Sequence, residues 1–168
     1  MDFKKANCLR IKHYKNENQT YPTMEQHTLG PTTPDTERTQ EIVARFFERL
    51  AARDPDGMAK LFAEKIDWHV PGDIALPWIG HRSHRAEVAN YFRTMWPHFE
   101  PGKSTASIEK LIVMGNDAVM FGTFTHTAAS TGRSFTTPVA MNLVIKGGKI
   151  VQLYLYEDTL AVSRAFFK

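Results

Sequence analysis

The chain has 168 residues, of which 42% are hydrophobic and 23% charged, which fits one globular domain and excludes a disordered chain. The net charge of +3 comes from residues 1–24, which carry five basic and two acidic side chains, so the remainder is neutral. A neutral body argues against a nucleic-acid-binding surface, and no apolar run reaches the roughly 18 residues that a membrane span needs.

Residues 1–34 show neither helical nor strand periodicity and are rich in Asn, Gln, Thr and Pro, so we expect a flexible N-terminal extension. Met24 lies near its end and is an alternative start. No apolar segment follows the basic first residues, and the single cysteine, Cys8, has no partner for an internal disulfide. Both features favour a cytoplasmic location.

Residues 35–168 are expected to form the folded domain, and this domain begins with helices. Either Asp35 or Thr36 can cap the first helix, whose apolar residues recur at helical spacing. Asp54-Pro55 is typical of a second helix start, with the aspartate as cap and the proline in the first turn.

A short strand is expected over residues 66–70, followed by an eleven-residue loop that ends at His81. A third helix should begin at about Ser83. The period then changes from helical to alternating, which predicts antiparallel strands joined by short turns at about 103–114, 118–128, 133–146 and 149–157. A short helix should end the chain after Thr159. The pattern predicts an α+β fold with three N-terminal helices packed on a strongly curved, mostly antiparallel sheet.

A curved sheet wrapped around three helices leaves an apolar cavity that side chains do not fill. We expect its lining to be Phe46, Trp68, Val70, Trp78, Phe92, Phe121, Thr123, Met141, Leu153 and Leu155. For most of these aromatic residues, filling of the core is an equally plain explanation. Trp78 differs because it lies in a loop, and a large apolar side chain in a loop suggests a cover over the cavity.

Several stretches, in this order and spacing, resemble the ketosteroid-isomerase-like family, also called SnoaL-like or NTF2-like. They are Leu61-Phe62-Ala63-Glu64, Trp68-His69-Val70-Pro71-Gly72, Leu76-Pro77-Trp78-Ile79-Gly80, Arg85-Ala86-Glu87-Val88, Tyr91-Phe92-Arg93, Gly132-Arg133, Gly148-Lys149-Ile150 and Tyr156-Glu157-Asp158-Thr159. The resemblance covers residues 36–163 and implies a cone-shaped fold with an open-ended pocket. It does not imply one activity, since the fold hosts isomerases, cyclases, hydrolases, dehydratases and non-enzymes.

The resemblance also shows which polar groups are missing. Where ketosteroid isomerases have a carboxylate base, this chain has Val70, and their oxyanion-hole tyrosine falls on Phe46. Their protonated aspartate falls on Ala140 or Met141, depending on how one turn is aligned. Proton transfer beside a carbonyl needs a base and an oxyanion donor, so the familiar isomerisation route is not expected.

Two acids remain as candidate catalytic residues. Glu157 ends the last strand and shares the side of Leu153 and Leu155, so its carboxyl should face apolar walls, which would raise its pKa. The alternative is an exposed glutamate at the mouth of the pocket. Asp73 lies in the loop near that mouth.

A metal site would need His81 and His84 on one helix face together with Asp73, but two solvated histidines at a helix start are the simpler interpretation. His69 alternates with Trp68 and should face away from the cavity. We therefore expect neither a metal nor another cofactor.

Three hypotheses about function follow. The protein is an enzyme of the isomerase, cyclase, dehydratase or hydrolase type that acts on a small, largely apolar molecule through a pocket carboxylate. Alternatively, it binds such a molecule without changing it, or it is a dimeric assembly module. Tyr154 and Tyr156 alternate onto the outer sheet face, and the family resemblance implies a homodimer through that face.

Overall fold

The computed structural model describes residues 7–16, 19–25 and 33–167. The helices among them are α1 (Pro34–Ala51), α2 (Pro55–Ala59), α3 (Ala86–Met95) and α4 (Thr159–Phe166). The strands are β1 (Asn7–Asn16), β2 (Gln19–Glu25), β3 (Phe62–Val70), β4 (Gly80–His84), β5 (Thr105–Met114), β6 (Asp117–Thr127), β7 (Ser134–Lys146) and β8 (Lys149–Glu157). The described helices and strands have the predicted α+β class.

The strands form one sheet in the order β2-β1-β5-β6-β7-β8-β3-β4, which is open at both edges. All neighbouring strands are antiparallel except β3 and β8, which run parallel. Register shifts in the β3, β5 and β7 pairings mark the irregularities at which a sheet bends. The buried residues of β6, β7 and β8 form one hydrophobic core with those of α1 and α3.

The extension predicted for residues 1–34 contains two strands, β1 and β2, which pair with each other, while β1 also pairs with β5. Their residues had shown no sustained alternation, so the pairing was not apparent from the sequence. Residues 1–6, 17–18 and 26–32 of that extension lie outside the described residues. Its flexibility stays a prediction.

The cap of the first helix lies two residues before the first of the two predicted caps and three before the second. Thr33 has an extended backbone and its hydroxyl accepts a hydrogen bond from the Thr36 backbone N–H at 3.3 Å, so Thr33 is the cap and Pro34 opens the helix. Thr36 instead accepts a hydrogen bond from the Gly115 N–H at 3.0 Å, which ties the helix to the β5–β6 turn. The second start is as predicted, since Asp54 accepts from the Gly57 N–H at 2.8 Å.

The third helix begins three residues later than predicted, at Ala86, because the preceding residues form strand β4. This strand pairs with β3 at the edge of the sheet. The Glu87 carboxylate accepts the backbone N–H groups of Ser83 and His84, at 2.8 and 2.9 Å, and so joins the strand end to the helix. The helix ends at Met95, since Pro97 supplies no backbone N–H for another turn.

Gly122 permits the close approach of β5 and β6 where the sheet bends. A register shift lies between Ile108 and Lys110 of β5, and Gly122 pairs with Ile108. A Cβ atom at Gly122 would lie 2.2 Å from the backbone oxygen of Ser107. No side chain therefore fits at this position without movement of the backbone.

We expect Gly122→Ala to lower the free energy of unfolding by about 1–3 kcal/mol, because the added methyl group displaces the β5 backbone. Urea unfolding measures this change. Gly102→Ala is the control: its Cβ would meet nothing within 4 Å, and only its positive φ of 74° adds strain. A smaller loss for Gly122→Ala than for Gly102→Ala would contradict the close approach.

Candidate functional site

The core encloses a cavity of about 110 Å³ between α1, α3, the inner sheet face and α4. Its walls are mainly aromatic and aliphatic. Eight of the ten residues predicted to line the cavity do so, namely Phe46, Trp68, Val70, Trp78, Phe92, Met141, Leu153 and Leu155. Trp68 is held by ring contacts with Phe62, Tyr91 and Phe92, at centroid distances of 5.2, 4.6 and 5.8 Å.

The prediction was wrong for Phe121 and Thr123, which lie on the opposite face of β6. Phe121 is 43% exposed, and the Thr123 hydroxyl donates to the Glu109 carboxylate at 3.1 Å. Phe124 and His126 line the cavity instead. Both faces of β6 carry apolar residues, so the sequence alternation alone did not identify the inner one.

Three apolar side chains occupy positions that carry polar groups in ketosteroid isomerases. Phe46 and Val70 both line the cavity. The strand register pairs Met141 with Leu155, and both face inward, whereas Ala140 faces outward between Phe121 and Tyr156. Of the two positions that the resemblance left open, Met141 lines the cavity and Ala140 does not.

Glu157 is the carboxylic acid on the cavity wall. It ends β8, pairs with Val139 and lines the cavity together with Leu155. Burial in these walls, followed by the nearby negative charge of Asp158, raises the pKa of the Glu157 carboxyl from 4.5 to about 7. The carboxyl can therefore hold or release a proton near neutrality.

Tyr91 also lines the cavity, with its ring against Trp68 and the Arg82 guanidinium 4.5 Å from the ring centroid. Burial and the negative charge of Glu157 both raise the pKa of the Tyr91 hydroxyl. The phenol therefore stays protonated and is available as a donor.

His126 is the second titratable group that the sequence analysis missed. A ring nitrogen, Nδ1, lies 2.9 Å from the Ser104 hydroxyl, and the ring stacks on Phe99 with centroids 4.3 Å apart. Burial, followed by the positive charge of Arg53, lowers the pKa of His126 from 6.5 to about 4. The imidazole is therefore neutral at physiological pH. The sequence carried no signal for it, because the alternation along β6 did not identify the inner face.

Asp73, the other predicted catalytic acid, does not line the cavity. Its two oxygens accept hydrogen bonds from the Ala75 N–H at 3.0 Å and the Ser163 hydroxyl at 2.7 Å. These bonds, in that order, lower the pKa of Asp73. The carboxylate is committed to joining the loop to α4, so its predicted catalytic role has no support from its position.

The loop after β3 closes over one side of the cavity. Trp78 is buried and packs against His98, Phe99 and Phe166, with ring centroids 5.0, 5.8 and 5.2 Å away. The Arg82 guanidinium donates hydrogen bonds to the backbone oxygens of Trp78 and Gly80. Trp78 therefore covers the cavity, as its place in the loop had suggested.

The predicted helix face shared by His81 and His84 does not exist, because both residues belong to β4. His81 pairs with His69 across the strands, and their rings stack with centroids 3.8 Å apart. In the part of the chain that the structure describes, no three histidine, cysteine or acidic side chains form a group that could hold a metal ion.

Comparisons with known proteins agree with this geometry. A family model described as a SnoaL-like domain matches residues 43–153. No curated protein matches the sequence significantly. The chain is similar to the crystal structure of an NTF2-like protein from Burkholderia thailandensis, with 26% identity, a TM-score of 0.68 and coverage of 77% of this chain and 98% of that one.

Two further structures share the fold at lower identity. One is TerC co-crystallised with polyporic acid, with 17% identity, a TM-score of 0.66 and coverage of 77% and 98% of the two chains. The other is a Jannaschia protein whose name includes the words SnoaL-like polyketide cyclase, with 15% identity, a TM-score of 0.65 and coverage of 82% and 96%.

We expect Glu157→Gln to change how stability depends on pH. The folded state keeps the Glu157 proton up to about pH 7, whereas the unfolded chain loses it near pH 4.5, so this group increasingly favours unfolding as pH rises between these values. The shift corresponds to roughly 3 kcal/mol above pH 7. Urea unfolding at several pH values measures the free energy of unfolding of both proteins. The difference, wild type minus variant, should fall by this amount as the pH rises from 4.5 to 7.

The contribution of His126 to stability depends on pH in the opposite direction. Because folding lowers its pKa, this contribution is present above pH 6.5 and is lost as the pH falls toward 4. In the wild type the two effects oppose each other, and Glu157→Gln removes one of them while that of His126 remains. Glu41→Gln, an exposed change on α1, is the control and should give a difference independent of pH. A pH-independent difference for Glu157→Gln would show that its carboxyl is not buried.

Proposed function

The chain belongs to the SnoaL-like domain family, and we propose that its cavity binds a small, largely apolar molecule to or from which Glu157 transfers a proton. The observation that carries this proposal is a carboxyl on an apolar cavity wall whose pKa lies at about 7. Acid–base catalysis is most efficient when the pKa of the catalytic group lies near the working pH.

The size of the cavity limits the ligand. A dry protein cavity of about 150 Å³ holds one benzene molecule, and this cavity measures about 110 Å³. The cavity is therefore close to the size of a single ring, whereas a steroid requires the walls to move. One neighbour in fold was crystallised with polyporic acid, and another is named as a polyketide cyclase. Both observations support small-molecule binding.

The side chains on the wall suit a proton transfer next to a carbonyl group. Glu157, once ionised, accepts the proton from the carbon beside the carbonyl, and the electron pair of that C–H bond moves toward the carbonyl oxygen. Tyr91 supplies a hydrogen bond to the resulting enolate oxygen. Glu157 then returns the proton to another carbon, which completes an isomerisation.

A non-catalytic binding protein is the second candidate, and one observation favours it. Phe46, Val70 and Met141 present only apolar atoms where ketosteroid isomerases have their polar groups. Such walls bind an apolar molecule without activating it. Native mass spectrometry after gentle purification should then show a retained molecule that stays chemically unchanged on incubation.

Assembly is a separate part of the proposal. The register places Phe121, Ala140 and Tyr156 side by side across the outer sheet face, and Phe121 and Tyr156 are 43% and 52% exposed. We infer a homodimer that covers this row.

No described helix is long and apolar enough to cross a membrane. The cytoplasmic location stays a prediction that rests on the single cysteine.

Glu157→Gln should abolish proton transfer, since an amide has no basic oxygen that can accept the proton. The probe is 3-cyclohexen-1-one, a one-ring ketone whose conversion to its conjugated isomer is followed by ultraviolet absorbance. We expect the variant to lose a factor of about 10² to 10⁴ in kcat/KM. In the wild type, kcat/KM should rise with pH through about 7 as Glu157 ionises.

Glu41→Gln is the control for this experiment and should keep the full rate, because Glu41 is exposed on α1. Equal rates for the wild type and Glu157→Gln would remove the catalytic role of Glu157. A wild type that binds the ketone without converting it would favour the binding protein.

Tyr156→Glu should convert the dimer into a monomer, because it buries a charge in the apolar row of the outer face. Sedimentation velocity at micromolar concentration measures the change. Ile74→Glu is the control, since Ile74 is 95% exposed in the loop after β3, away from that row. A monomeric wild type would show that the outer face is not a dimer interface.

A further inference from the structure

Arg53 occupies a backbone position at which glycine is usual. It follows α1, whose cap is Ala52, and its φ of 48° makes it the one non-glycine residue with positive φ among the described residues. A side chain in this left-handed region is strained, because its Cβ atom crowds the backbone. Such strain is concentrated at functional sites.

The Arg53 side chain lines the cavity and is its only arginine or lysine within the described chain. No carboxylate of the described residues forms an ion pair with it. The adjacent Asp54 is engaged elsewhere, since it accepts from the Arg49 guanidinium at 3.0 Å and from the Gly57 N–H at 2.8 Å. The cavity thus has a cation whose counter-ion is not supplied by its protein surroundings.

A second polar pair lies close to this cation. The positive charge of Arg53 contributes to the lowered pKa of His126, so the two side chains interact electrostatically. The Ser104 hydroxyl holds one nitrogen of that imidazole at 2.9 Å, and both residues line the cavity. The neutral imidazole does not compete with Arg53 for an anion.

The negative charge of Glu157, by contrast, affects a different group, since it contributes to the raised pKa of Tyr91. The cavity wall therefore has two polar groups of different character, one cationic around Arg53 and one acid–base around Glu157. Aromatic and aliphatic side chains make up most of the remaining wall.

From this arrangement we propose that Arg53 forms an anion subsite and that the ligand is a single-ring molecule that carries a carboxylate. The inference rests on the proposed function, since it assigns the ligand class of the same cavity. A guanidinium forms two parallel hydrogen bonds with a carboxylate, and these are stronger in an apolar setting than in water. The ligand's ring then contacts the apolar walls while its carboxylate supplies the counter-ion that Arg53 lacks.

Benzoate and benzamide test this proposal, because they are nearly equal in shape and differ in charge. Their binding is measured by isothermal titration calorimetry at about pH 6, where benzoate is ionised and Glu157 is mostly protonated. We expect the wild type to bind benzoate roughly tenfold or more tightly than benzamide. Arg53→Gly should reduce the affinity for benzoate to that for benzamide.

Two features keep the result interpretable. Glycine suits the positive φ of residue 53, so the melting temperature of Arg53→Gly should equal or exceed that of the wild type. Arg53→Asn is a second variant whose side chain tolerates this conformation. Arg45→Gln removes one positive charge from the exposed face of α1 and should leave both affinities as they are.

The outcomes separate this inference from the proposed function. If the wild type binds benzamide and benzoate equally, the anion subsite is wrong while small-molecule binding stands. If the benzoate preference persists in Arg53→Gly, the carboxylate binds elsewhere and the proposal is overturned. If neither compound binds, the single-ring cavity fails, and this inference fails with it.

Discussion

The parallel pairing of β3 with β8 is the contact on which the cavity depends. It places Trp68 beside Leu153, and so brings a strand from the helical half of the chain to the sheet built by its second half. The meander β5–β8 alone would present one apolar face to water. With β3 added and the sheet bent at its register shifts, that face encloses α1 and α3 and leaves a space between them.

The apolar walls of this space explain the chemistry of its titratable groups. Removing water disfavours the charged form of any group, so the same walls raise the pKa of Glu157 and lower that of His126. Both groups are consequently neutral in an overlapping pH range. Arg53 places a positively charged guanidinium on the same wall. A ligand that supplies a carboxylate would balance that charge.

The SnoaL-like fold of this chain is separable from the residues that act in ketosteroid isomerases. By the family resemblance, Phe46 and Val70 stand where ketosteroid isomerases have polar groups, whereas Tyr91 and Glu157 supply polar atoms to this cavity from α3 and the end of β8. A cavity bounded by many elements allows this exchange, since each element contributes one or two side chains to it. The chemistry of one member therefore does not transfer to another through the fold.

The sequence by itself determined the strands β5 to β8 and the three turns between them, because alternation and glycine-containing turns are local signals. It also placed Glu157 and most of the apolar wall. Only the tertiary structure decided which face of β6 looks inward, that residues 80–84 pair with β3, and that Arg53 and His126 meet the same cavity. These features depend on contacts between residues far apart in the chain. The periodicity of hydrophobic residues within one segment does not predict such contacts.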